Sequence, residues 1–399
     1  MAAATRSPAV CPPGRRPIPF PGHAATRVPA VGLASKRSPL KNAIALLFTS
    51  SALALCLHAP ALAQSAAKTR PASIKTPAYS YAQSATAMAF ATDLAERRDL
   101  DPAWVRQHIG AAQRVPTVIR LMQPAPSGTP KNWAAYRARF IEPVRLRAGQ
   151  RFWEANREAL ARAELEYGVP ASLIVGVIGV ESLYGQHTGN FRVMDALTTL
   201  AFDFPASHPR AAARSEFFRG ELEQFLSLAE RTSTDPQSYL GSYAGAMGWP
   251  QFMPSSWVKY AIDFDGDGKV DLFNSQADVI GSVANYFKAF GWQTGVPTHY
   301  PVRLDTAQTR EQLDELLAPD ILPSFGVASF TAKGAVLEGP ALEHTGKLAL
   351  VELENAGAPS SYVAGTDNFY VVTRYNWSSY YALAVIELGE AVKASMGER

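Results

Sequence analysis

The side chains able to do chemistry fall into four stretches of different character. Glu181 follows an apolar run holding Leu173, Ile174, Val177, Ile178 and Val180, and precedes Tyr184 and Gly185. A carboxyl in that company resists ionisation, because desolvation disfavours its charged form and a helix C-terminus adds partial negative charge. A glutamate that keeps its proton near pH 7 can hand it to a leaving oxygen. The plainer reading is a solvated residue at a helix end, or one paired with Arg192, and the run alone does not choose between them.

From Gly241 to Pro254, Ser242, Tyr243, Trp249 and Gln251 stand among glycines and alanines. Small residues let a ligand approach the backbone, while the other four supply hydrogen bonds and flat apolar surface. That composition fits a sugar site and a tightly packed loop equally well. Asp263, Asp265, Asp267 and Asp271, with Gly268 at the sixth position and Lys269 offering only its carbonyl at the seventh, match the first nine positions of an EF-hand loop. Such spacing makes an oxygen cage for a hard cation; the alternative is an acidic solvated turn. Asn274 stands where the bidentate glutamate of such loops belongs, and Asp278 is placed to close an enlarged loop. Last, Asn368, Phe369 and Tyr370 are followed by Tyr375, Asn376, Trp377, Tyr380 and Tyr381, either a stacking wall for sugar rings or part of the core.

Some chemistries lack their motifs. The chain contains no His-Glu-x-x-His, no Gly-x-Ser-x-Gly and no phosphate-binding glycine loop. His187 alone among the histidines lies near Glu181, and a lone histidine there reads as a polar loop residue.

The elements that must position these groups are mostly helices. Asp101-Pro102 starts one, Gly149 to Tyr167 carries helical spacing up to Gly168, and Pro170 opens a third that places Glu181 in its last turn. Further helices are expected at Asp195–Phe202, Arg214–Glu230, Asp278–Phe290 and Ser379–Ser395. Short apolar runs with many Gly and Pro over Val296–Thr366 predict strands, as does Tyr370–Thr373.

The expected organisation is a presequence over 1–63, a linker over 64–78, an N-terminal helical domain over 79–160 and a catalytic core over 161–296. A small β-containing domain over 297–366 and a C-terminal strand and helix over 367–399 complete it. The presequence reading rests on Lys36, Arg37 and Lys41 ahead of an apolar stretch to Leu57, then Ala61-Leu62-Ala63 as a cleavage site, which predicts export. Cys56 offers lipid anchoring as an alternative. Seven of the 38 Lys and Arg and none of the 35 Asp and Glu lie in that leader, so the remainder carries 31 against 35, a net charge near −4. No basic face for nucleic acid is expected of it. Both cysteines lie in the leader, so roughly 335 residues must be held by their core without a disulfide.

Taken together, Gly176–Gly185, Asp195-Ala196-Leu197, Glu216-Phe217-Phe218, Ala244–Pro254 and Gly281–Phe287 resemble the lytic murein transglycosylase B family, in order and spacing, over about 140–388. The resemblance implies a mainly α (α+β) protein with a lysozyme-like catalytic core, an N-terminal helical part and a small β-containing insertion. It implies peptidoglycan glycan strands as substrate, Glu181 as single acid and base, no cofactor for catalysis and structural Ca2+ in the acidic loop. Ser242, Gln251, Tyr286, Tyr375, Asn376 and Tyr381 match cleft residues, and Arg214 and Phe217 match positions that contact the glycan or its peptide stem. Phe217 stands where some relatives have Tyr, Ala213 where some have Arg, and Pro250 where relatives have Gly. A periplasmic monomer is expected, meeting cell-wall synthesis or division proteins.

Most glycosidases use two carboxylates, and the motif offers one. The expected reaction is therefore substrate-assisted and non-hydrolytic, giving 1,6-anhydro ends. A hydrolytic muramidase using a water held by Asp195 or Asp203 is the rival within the class, and a non-catalytic peptidoglycan-binding protein the rival outside it.

Overall fold

A computed structural model describes residues 79–124 and 130–397; the expected presequence, Cys56 and the linker lie outside the described residues. The described chain is mainly helical with small antiparallel sheets. No single described helix is long and apolar enough to cross a membrane.

The helix Ala171–Ser182 organises the rest. Every residue from Ala171 to Val180 is buried, as expected of a helix apolar on all sides. Two glycines let its backbone meet that of the antiparallel C-terminal helix, Ser379–Gly397. A Cβ on Gly176 would lie 2.1 Å from the Val385 carbonyl oxygen, and one on Gly389 would lie 1.9 Å from that of Ser172. The same crossing sets the last turn of one helix beside the first turn of the other, so Glu181 meets Tyr381.

Around this pair pack Arg157–Tyr167, Gln276–Ala289 and Pro143–Ala155. The helix expected over Gly149–Tyr167 is two helices, broken at Asn156, where φ is −121° and the side-chain amide donates to the Phe152 carbonyl and to Gln276 Oε1. Val193–Phe202 and Ala211–Arg231 pack as a second pair. The N-terminal helices Ala85–Arg98 and Pro102–Ala111 have no separate core; Leu94, Val105 and Ile109 belong to the same apolar cluster as Ile174 and Val385.

Within the insertion, His299–Pro301, Ala349–Asn355 and Ala358–Gly365 form an antiparallel sheet with the last strand in the middle, Leu350 opposite Ala364. A second small apolar cluster, including Leu316, Phe330, Leu348 and Leu350, lies here. The strand expected at Tyr370–Thr373 is instead the end of a helix, Asp367–Thr373. Thr366 caps it by accepting from the Asn368 N–H, and burial of Phe369, Val371 and Val372 outweighs the β preference of Val-Val-Thr.

Candidate active site

The chain turns sharply after Glu181. Leu183 and Tyr184 both take left-handed conformations, φ 51° and 55°, and their N–H groups return to the Gly179 and Ile178 carbonyls at 3.2 and 3.3 Å. Two such non-glycine residues in succession are costly, and the turn they make fixes how the chain leaves Glu181. Tyr184 packs its ring on Phe152 at 5.3 Å, in a slot made by Gly149 and Gly179.

Glu181 keeps partial access to solvent while protein encloses its carboxyl. Burial raises its pKa from 4.5 to about 7, partly offset by the Tyr381 hydroxyl, which donates to Oε1 at 2.5 Å. The Arg192 pairing considered from sequence is not made: Arg192 holds Asp195, with Nη2 at 2.6 Å. A carboxyl so placed is a proton donor at neutral pH and, once ionised, a base.

The phenols form a connected wall. Tyr381 and Tyr375 stack at 6.3 Å and 16°, and Tyr375 lies 4.8 Å from Tyr286. Each hydroxyl is fixed, Tyr375 donating to the Pro250 carbonyl at 2.6 Å and Tyr286 to that of Arg374 at 2.7 Å. All three lie near enough to Glu181 for its charge to help raise their pKa values, behind burial. Tyr136 shares that neighbourhood and is pushed up to about 12, by burial first and the Glu181 charge second. Sequence reading missed it. Its only signal was Trp133 and Tyr136 one helical turn apart, and the structure sets both against Tyr380, at 5.7 and 5.8 Å.

The small-residue loop reaches the site by another route. Phe191–Arg192 pairs with Leu240–Gly241, laying Ser242 beside the segment that follows Glu181. Ser242 Oγ accepts from the Ala244 and Ala246 N–H groups at 3.3 and 3.0 Å, leaving its own proton to donate. Gln251, at φ 50°, donates to the Thr188 and Gly248 carbonyls at 3.0 and 2.8 Å, which ties the loop to the turn past Glu181. Asn376 Oδ1 and Arg214 Nε are buried polar atoms with no protein partner. Arg214 stands close enough to Tyr243 for their charges to interact, and Phe217 meets Phe218 edge-on at 5.1 Å. Arg214 is thereby linked to the Ser242 loop, whereas the Phe217 contact is with its own helix.

The two acids considered as water-holders are committed elsewhere. Asp195 is buried and accepts from the Gln113 N–H at 2.8 Å as well as from Arg192. Asp203 accepts from the Tyr81 hydroxyl at 2.5 Å and faces Arg114 at 3.1 Å.

In the acidic loop, Asp263, Asp265 and Asp278 each place a carboxylate oxygen within 4.8 Å of the others; Asp267 and Asp271 are not in that group. Asp278 is buried, with Oδ1 accepting from Phe264 N–H at 2.7 Å and Oδ2 from Asp271 N–H at 2.8 Å. Three carboxylates gathered around a glycine turn form an oxygen donor set suited to a hard cation.

Comparison with known proteins agrees with this geometry. The transglycosylase SLT domain model matches residues 82–390. The membrane-bound lytic murein transglycosylase B of Escherichia coli (strain K12) is 38% identical over 320 residues, 78% of this chain and 84% of the relative. The crystal structure of soluble lytic transglycosylase SltB1 from Pseudomonas aeruginosa superposes with a TM-score of 0.70 at 38% identity, covering 78% of this chain and 99% of that one. The Escherichia coli lytic transglycosylase Slt35, solved in complex with calcium, gives 0.68 at 38% identity over 79% and 95%. The chain belongs to the lytic murein transglycosylase B family and is a peptidoglycan lytic transglycosylase with a lysozyme-like fold.

Proposed function

We propose that Glu181 acts first as acid and then as base in cutting the β-1,4 bond between N-acetylmuramic acid and N-acetylglucosamine. The observation that carries this is one enclosed carboxyl, held protonated up to about pH 7 beside the Tyr381 hydroxyl. Glu181 gives its proton to the glycosidic oxygen as the acetamido oxygen of the muramic sugar bonds to C1, and the glucosamine leaves with its hydroxyl restored. The ionised carboxylate then takes the proton of that sugar's C6 hydroxyl. O6 bonds to C1, the bond from the acetamido oxygen breaks, and a 1,6-anhydro end results with Glu181 reprotonated.

This route asks nothing of a second carboxylate, in keeping with the structural commitments of Asp195 and Asp203. Ser242 is assigned to orient the acetamido group, Gln251 and Asn376 to bond the sugars, and Tyr286, Tyr375 and Tyr381 to stack against them. Arg214 and Phe217 are assigned to the outer glycan or its peptide stem; a buried guanidinium with an unused Nε donor suits an anionic or carbonyl partner.

Asp263, Asp265 and Asp278, with Asp267, Asp271 and the Lys269 carbonyl, are proposed to hold Ca2+. The ion would neutralise gathered carboxylates and fix the loop to the Gln276–Ala289 helix, outside the reaction. The chain is placed in the periplasm, exported by its leader, with lipid attachment through Cys56 as the second reading. It acts there as a monomer on glycan strands, alongside cell-wall synthesis or division proteins.

The deciding experiment is digestion of purified sacculi by the mature chain and by Glu181→Gln, with mass analysis of the fragments. Anhydro ends, one water lighter than reducing ends, are expected from the wild type and none from the variant. Reducing ends would establish hydrolysis, and an active variant would remove Glu181 from the reaction.

A further inference from the structure

Arg145 is a buried cation that the reaction does not use. It is 7% exposed on the helix Pro143–Ala155, and among the described residues its nearest carboxylate is Glu142 at 4.0 Å. Its donors go to main-chain carbonyls instead: Nε to Gly179 at 3.0 Å and Nη1 to Arg139 at 2.5 Å, with the guanidinium 5.2 Å from the Phe140 ring. Burial pushes its pKa down, though a guanidinium stays charged. Burying a charge whose hydrogen bonds all go to neutral carbonyls, with one carboxylate at 4.0 Å, is costly, and an apolar side chain of similar size would fill the space more cheaply.

The positions of those carbonyls supply a reason. Gly179 lies two residues before Glu181, and its oxygen, which also accepts the Leu183 N–H at 3.2 Å, is among the last of the helix, where the helix dipole is negative. Arg139 lies three residues past Tyr136, which shares the surroundings of Glu181. One side chain therefore ties together two backbone stretches that flank the Glu181 carboxyl.

We propose that Arg145 is a positioning residue for the reaction, locking the last turn of the Glu181 helix to the Tyr136 segment and so fixing the direction and dryness of the Glu181 carboxyl. This rests on Glu181 being the proton donor. The titratable groups facing Glu181 are the phenols of Tyr136, Tyr286, Tyr375 and Tyr381, all raised and neutral at pH 7, so its titration reports its packing.

The test compares Arg145→Lys, which keeps the charge but loses the fork, with Arg145→Met, using Leu160→Ala as a control destabilised in the core without touching the Arg145 hydrogen bonds. Melting temperature, kcat and KM on glycan strands are measured. The Glu181 carboxyl carbon is titrated by NMR, assigned through its loss in Glu181→Gln. The Arg145 variants are expected to lose about 10- to 100-fold in kcat with KM little changed, as small misplacements of reacting groups do. Their Glu181 midpoint should move from about 7 toward that of an ordinary glutamate. Leu160→Ala should keep both. The proposal is overturned by wild-type kcat and midpoint in either folded variant, by an equal kcat loss in the control, or by failure of both variants to fold. An active Glu181→Gln would instead overturn the proton-donor assignment, whereas an unmoved Glu181 midpoint in Arg145→Lys would overturn only the positioning role.

Discussion

The surroundings of Glu181 and the loop from Asp263 to Asp278 both depend on carboxyl groups and treat them oppositely. Glu181 is single, faces phenols and receives one hydrogen bond, and burial holds its proton to about pH 7. In the loop, Asp263 accepts three main-chain N–H bonds, from Gly266, Asp267 and Gly268, and Asp265 is pushed below the usual range, first by the Ser275 hydroxyl. One environment makes a proton source, and the other gathers carboxylates around main-chain and hydroxyl donors, with burial raising the pKa of Asp278. The lesson is that a carboxyl's chemistry is decided by how many donors and how much water surround it.

Breaking the first environment gives the largest expected effect. Glu181→Gln should keep the fold and lower kcat by at least about 10³-fold, since in the proposed route one group serves both proton transfers, checked by anhydro-product release from sacculi. The same substitution should stabilise the protein above neutrality. Between pH 4.5 and about 7 the folded chain holds a proton that the unfolded chain releases, so this group's contribution is favourable below 4.5 and lost as pH rises through 7. The loss amounts to about 3 kcal/mol, and denaturant melts should show Glu181→Gln gaining that much on the wild type at pH 8 but little at pH 4.5. Equal stabilities at pH 8 would contradict the buried, raised carboxyl.

The loop should respond to metal and not to the Glu181 substitution. Calcium at 100 times its dissociation constant is expected to add about 2.7 kcal/mol, read as a rise in melting temperature that chelator removes and Asp263→Asn abolishes. An unchanged melting temperature would leave the loop as an acidic turn only. The smallest effect tests the one hydrogen bond on Glu181. Tyr381→Phe removes a donor that lowers its pKa, so the alkaline limb of kcat/KM should move up by about half to one unit. A downward shift would mean that water replaces the phenol.

Local features were legible in the chain. The apolar run before Glu181, the proline that opens it and the aspartate spacing of the loop are each set within a dozen or so neighbours. What lay between distant segments was not. Tyr136 and Arg145 carry no motif, and they matter through Glu181 and Gly179, which the packed helices bring to them. Two local patterns misled for the same reason. Tyr370–Thr373 has β-branched residues yet is helical under a Thr366 cap, and the helical spacing from Gly149 to Tyr167 conceals a break where Asn156 reaches Gln276.

By itself the sequence determined which residues are chemically able: a glutamate at the end of an apolar helix, a cage of aspartates, a store of tyrosines. Only the tertiary structure decided what each one does. Gly176 and Gly389 admit a backbone-close helix crossing, and that crossing sets the Tyr381 hydroxyl 2.5 Å from Glu181 across 200 residues of chain. The physical reason is that a proton's affinity depends on the dielectric and donors within a few ångströms, and those neighbours are supplied by packing rather than by adjacency in the chain.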